Sequence, residues 1–414
     1  MNDISELLIT SCRSTMHLWR GLTAGGANTI HTYKVHGSIE MSTLNVLGND
    51  YIMVAEANKP LLHVWPITSI EENLTPRIVL PEPARVVAVS TDNCYLAVGI
   101  DKKLLIWQLC SGVLLTTQEV HLSPITCIKF SPDSDYLITG ATNGNVLVYN
   151  FSNLVDIQET YQVHKGQGQT KPLYNKLDHI SAVTHICIGG FSLKSRFATS
   201  SLDNTCRIYE LLTGQLLLQL IYKEGISTFT LDTSLWSLYL GTSSGIIQQY
   251  NLTNPPRSTI QHVSDTNNKL FFVGHTQQVN CLALNITNDI LVSGSEDKLV
   301  LVWDVESRQI LNKLEHKSPI TNIGFICSTA FTGCKPKVVL AELQRIISLD
   351  SEKYKVGVIQ NQDITFSDDS DCEASRGDCE LVLKDKLLMA YGVNERLYSC
   401  LTKMIQERDG VKYK

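Results

Sequence analysis

Three side chains between residues 275 and 297 are of the types that carry out nucleophilic hydrolysis. His275 could serve as the base, Ser293 as the nucleophile and Asp297 as the carboxylate that orients the imidazole. Trp303 follows Asp297 by six residues and closes a short apolar run. The same four residues also suit an internal hydrogen-bond clamp. That reading is preferred, because the residue types recur at fixed places along the chain, as structural groups do and a single catalytic site does not. Other chemistries have less to offer. There is no HExxH, no GxSxG elbow, no phosphate loop and no pair of carboxylates placed for acid–base work. No CxxC pair occurs, and Cys372 and Cys379 lie in an acidic stretch without a nearby histidine, a poor zinc site. The other cysteines, Cys12, Cys94, Cys110, Cys127, Cys187, Cys206 and Cys281 among them, fall mostly in apolar runs and read as small buried thiols. No catalytic residue, cofactor or metal is expected.

The elements that would position such a clamp are short strands. Gly274-His275 precedes an apolar run from Val279 to Leu284, then Ile290 to Ser295, then Leu299 to Asp304 ending in Trp303-Asp304, which matches the WD40 repeat. Aligning the chain on Trp303 finds Trp19, Trp65, Trp107, Tyr149, Tyr209 and Tyr250, with gaps of 46, 42, 42, 60, 41 and 53. Six residues before most of these aromatics stands a residue suited to a tight turn: Asp101, Asn143, Asp203, Ser244 and Asp297. Between the marks lie runs of strand length and composition, such as Tyr95 to Val98 and Phe197 to Ser200. Asp203 with Tyr209 and Asp101 with Trp107 are expected to keep parts of the clamp.

A unit of about 40 residues makes one four-stranded sheet, which cannot bury both faces alone. The fold class is therefore all-β, a seven-bladed propeller over residues 1–350. The N-terminal piece, Leu7 to Arg20, is expected to supply two strands to a weak last unit, Ile310 to Asp350, and so close the ring. Two insertions interrupt the repeat. Leu154 to Leu177, with Tyr161 to Gln169 at its centre, and Thr253 to Asn268 both read as surface loops open to partner binding.

Beyond the repeats the composition changes. Residues 351–378 read as an acidic flexible linker; the run from Asp363 to Glu380 carries seven acids against Arg376, with Ser367 and Ser370 among the aspartates. Residues 379–410 read as a helix. Leu383, Leu387, Ala390, Asn394, Leu397, Leu401 and Met404 are spaced 4, 3, 4, 3, 4, 3, a heptad seam for a partner or a second copy, or for the propeller's own side.

The net charge of −6 argues against strong direct nucleic-acid binding. Neither a basic n-region before an apolar stretch nor a run long enough to span a membrane is present, so a soluble intracellular protein is expected.

The run from Val183 to Ile186, then Phe197 to Thr205, then Leu212 to Leu218 resembles the fourth blade of the WD-repeat subunit of the Rix-one complex, the Ipi-three or WDR-eighteen family. Gly274 to Ile310 and the acidic linker with its terminal helix resemble the same family's layout. The resemblance implies a nuclear and nucleolar scaffold in maturation of the pre-60S ribosomal subunit and processing of the rRNA internal spacer. The implied partners are a helical-repeat scaffold subunit, a further α-helical subunit and, indirectly, a midasin-type ATPase. The weak last blade and Gly392 within the helix depart from the family pattern. A generic propeller adaptor, such as a substrate receptor of a ubiquitin ligase, is the alternative.

Overall fold

The computed structural model describes residues 6–22, 26–35, 37–48, 50–67, 78–155, 170–189, 195–232, 234–253, 255–263, 270–327 and 340–345. The acidic linker, Ser367, Ser370, the heptad seam from Leu383 to Met404 and the centre of the first insertion lie outside them. Among the described residues no helix is long and apolar enough to cross a membrane.

Strands of two to eight residues assemble into seven sheets, the blades of the expected propeller. Blades one to six occupy residues 45–79, 86–119, 125–176, 183–221, 226–272 and 279–315, each running outward from an inner strand at the axis. Turns at the hairpins need backbone in the left-handed region. Asn204 (φ 64°) fills one such place in blade four and Lys298 (φ 69°) the matching one in blade six.

Apolar clusters sit between neighbouring sheets. One joins Tyr239 and Ile247 of blade five to Leu291, Leu301 and Trp303 of blade six. Glycine allows the closest approach: a Cβ on Gly294 would stand 2.6 Å from Ile320 Cγ2, and one on Gly140 3.0 Å from Val183 Cγ1, each in the next blade's inner strand. Around the axis, inner-strand side chains reach across blade boundaries to backbone carbonyls. Thr126 donates to Val183 O at 2.6 Å, Ser227 to Val279 O at 2.6 Å, Asn280 to Ile320 O at 3.0 Å and Asn322 to Glu40 O at 3.0 Å.

Ring closure differs from the expectation. Ile310–Glu315 pairs with Leu299–Asp304 as the outer strand of blade six, so the C-terminal side supplies blade seven with one strand, Ile320–Cys327. The N-terminal side supplies three, Glu6–Cys12, Thr15–Arg20 and Asn28–Lys34. The third of these is half-exposed at the rim, which is why its mixed sequence gave little strand signal. Leu8 and Ile9 are wholly buried in the joint.

Two further segments depart from a simple repeat. Ile260–His262, expected as loop, adds in parallel to Leu216–Ile221 and gives blade four a fifth strand. Residues 340–345 lie along blade two: Ala341 N–H donates to Leu109 O at 3.2 Å, Gln344 N–H donates to Gly112 O at 2.8 Å, and Leu343 is buried.

Candidate functional site

In blade six the loop before the inner strand, the second strand, the hairpin turn and the third strand converge on one histidine. His275 Nδ1 lies 2.8 Å from Asp297 Oδ2, and Nε2 lies 2.8 Å from Ser293 Oγ. A carboxylate only accepts, so Nδ1–H donates to Asp297 and Nε2 accepts from the Ser293 hydroxyl. Trp303 Nε1–H donates to the same Ser293 oxygen at 2.8 Å. Asp297 also accepts from Leu299 N–H at 2.9 Å and Thr276 N–H at 3.2 Å. Burial opposes its charge, but those donors and His275 outweigh it and hold the carboxyl below its ordinary pKa. Burial likewise lowers His275, against the pull of Asp297.

The order Ser293–His275–Asp297 is that of a hydrolytic triad, yet Ser293 is 0% exposed and its oxygen already receives the indole N–H. A nucleophile there meets no substrate. What the bonds do is tie four segments of one sheet together without an unmatched polar atom.

Blade four repeats the device with changes. His179 Nδ1 is 3.0 Å from Asp203 Oδ2 and Nε2 is 2.8 Å from Thr199 Oγ1. Burial raises the Asp203 pKa, but His179 and Thr205 more than reverse it and hold the carboxyl far below the usual range. Tyr209 is outside this chain of bonds: its hydroxyl donates to Asp178 at 2.8 Å while its ring stacks on Phe197. In blade three His121 Nε2 is 2.8 Å from Thr139 Oγ1, and the Asn143 side chain accepts from Asn145 N–H within the turn instead of meeting the histidine.

Asp101 and Trp107 are not brought together. Trp107 pairs with Leu96, eleven residues back (107 − 96), whereas Trp303 pairs with Leu291, twelve back (303 − 291). The hairpin of blade two is thus one residue shorter, and Asp101 sits exposed in its tip with φ 48°. Val98 occupies the place of Ser293, so the Trp107 indole N–H donates elsewhere, to Gln344 O at 2.7 Å.

His121, His179 and His316 were missed in the sequence. The signal is present: each of His121, His179, His275 and His316 stands four residues before an inner strand, which begin at Ile125, Val183, Val279 and Ile320. Only His275 is preceded by glycine, which hid the others. Beside two of these histidines the surface is apolar. Leu122 is 87% and Ile180 90% exposed, with Leu177 and Leu202 exposed nearby in sequence or across the hairpin. Large apolar side chains held out in water on these loops are candidates for contact with another protein. The axial channel, about 200 Å³, is lined by Lys129, His185 and Asn280 among others and, among the described residues, by no carboxylate.

The family model for the WD domain, G-beta repeat, matches residues 112–150, 170–210 and 267–304. WD repeat-containing protein 18 of Danio rerio is 30% identical over 71% of this chain and 67% of its own length. The chain belongs to the WD repeat-containing protein 18 family. Another relative of this family member, the pre-rRNA-processing protein crb3/ipi3 of Schizosaccharomyces pombe, is 27% identical over 76% of each chain. Among solved structures, the computationally designed Ika8 protein matches with a TM-score of 0.53 at 20% identity over 76% of this chain and 86% of its own. That likeness concerns the fold alone.

Proposed function

We propose that this chain is a non-catalytic scaffold subunit of a nuclear complex that matures the pre-60S ribosomal particle and supports processing of the rRNA internal spacer. The observation that carries the reading is the match over three quarters of both chains to a relative named as a pre-rRNA-processing protein. The buried, bond-saturated clamp and the apolar rim at Leu122 and Ile180 support it: the polar groups serve the sheets, and the surface serves partners. The partners in this reading are a helical-repeat scaffold subunit and a further α-helical subunit, with a midasin-type ATPase reached through them. The protein then resides in the nucleolus and nucleoplasm. The domain plan is a propeller to residue 350, an acidic linker over 351–378 and a helix over 379–410 whose seam from Leu383 to Met404 docks on a partner or a second copy.

Affinity purification of the tagged chain from nuclear extract tests the reading, with mass spectrometry of what co-purifies and pre-rRNA profiling after depletion. Pre-60S factors and accumulation of spacer-containing precursors are expected. Recovery of a cullin adaptor with normal pre-rRNA would replace it with the ubiquitin-ligase reading. Removing residues 379–414 should lower the assembled mass or lose one partner.

A further inference from the structure

Blade seven has a histidine where the other clamps have theirs but lacks the carboxylate. His316 Nε2 lies 3.3 Å from Thr10 Oγ1, which also accepts Trp19 N–H at 2.8 Å, reproducing the Ser293 arrangement. His316 Nδ1, the atom that meets Asp297 in blade six, is buried and has no partner. The blade-seven hairpin turns through Arg13-Ser14 and offers no acid. A thiol and a second imidazole stand nearby. One ligand atom from each of Cys12, His17 and His316 lies within 4.8 Å of the others.

We propose that Cys12, His17 and His316 form a zinc-binding site that joins the two ends of the ring. One thiolate with two imidazoles is a set that suits Zn²⁺, and three protein ligands leave a fourth position for water. Ligand atoms around one zinc sit about 3.5 Å apart, so small side-chain rotations close the present spread. Each histidine already has its other nitrogen oriented by a threonine hydroxyl. His17 Nδ1 is 3.1 Å from Thr32 Oγ1, and His316 Nε2 is held by Thr10. Such outer partners fix the ring and its tautomer for a metal. The remaining His17 nitrogen, Nε2, meets Thr15 Oγ1 at 3.2 Å, and that hydroxyl is 2.9 Å from Cys12 Sγ, so one hydroxyl bridges the two ligand atoms in the place a metal ion would take from it. The cation of Lys317 near His17 opposes a metal, but Lys317 is exposed and its charge is screened by salt.

The sequence placed Cys12 among the scattered thiols because 304 residues (316 − 12) separate it from His316, and only closure of the ring brings them together. The site does not depend on the scaffold reading. Its test uses the untagged full chain, stripped with a chelator and titrated with Co²⁺ or Zn²⁺ against a chromophoric competitor. Expected are one ion per chain, a thiolate-to-cobalt charge-transfer band, and a Zn²⁺-dependent rise in thermal midpoint. Cys12→Ser and His17→Ala should each weaken the metal by at least about tenfold, while Cys94→Ser leaves it unchanged. Absence of the charge-transfer band, or affinity unchanged from the parent in both variants, would overturn the proposal. Should either variant not fold, X-ray absorption on the zinc-loaded parent decides: one sulfur and two imidazoles support the site, and a shell without sulfur refutes it.

Discussion

The Trp107 indole N–H donates to the backbone carbonyl of Gln344 at 2.7 Å, across 237 positions of sequence. Blade two lacks both the histidine and the serine of the clamp, and a segment from beyond blade seven supplies the missing acceptor.

Ending the chain at residue 339 should therefore destabilise blade two in particular. It removes the acceptor of a buried N–H and uncovers the apolar surface under Leu343, a loss on the order of 2–3 kcal/mol. Hydrogen exchange should report faster opening of 95–119, and Trp107→Phe in the shortened chain should recover part of the loss. Equal protection with and without the segment would count against this account.

Ser293→Ala should cost more than Thr139→Ala. The first leaves both the Trp303 N–H and the His275 Nε2 without partners, about 1–3 kcal/mol for each buried group, while the second strands only His121. Urea midpoints of the two variants measure the difference.

Gly294→Ala should destabilise by about 1–3 kcal/mol through overpacking, since its Cβ would stand 2.6 Å from Ile320 Cγ2. Ile320→Ala removes that methyl, so the two changes together should cost less than the sum of the single ones, a coupling that a double-mutant cycle reads directly.

Acid should weaken the fold in two stages. Burial lowers the His121 pKa to about 4, so the unfolded chain takes up a proton there first, and the stability of the neutral form is lost as pH falls from about 6.5 toward 4. Asp203 and Asp297 are held below the ordinary carboxyl value, and their contribution goes only at lower pH, as each becomes protonated. His121→Gln should reduce proton uptake on unfolding between pH 7 and 5 by up to one and leave the lower stage in place.

Leu122→Asp together with Ile180→Asp should leave the circular dichroism and melting point nearly unchanged, because both side chains already face water. The same pair should remove at least one protein from those that co-purify with the chain; an unaltered set would place the partner surface elsewhere on the ring.

Strand-length apolar runs, turn residues and aromatic spacing are local properties, and from them the sequence by itself determined the seven sheets and the family. Within blade six it also located His275, Ser293, Asp297 and Trp303, because the full repeat keeps them at fixed separations. Tertiary structure decided the rest. Asp101 meets no clamp histidine, since Glu82 stands four residues before the inner strand of blade two, and Tyr209 turns its hydroxyl to Asp178 where Trp303 gives its indole N–H to Ser293. Thr10 meets His316, Cys12 nears His17 and His316, and Gln344 covers Trp107 only once the ring has closed. Contacts between segments so far apart follow from the circular packing of sheets, and spacing along the chain carries no trace of them.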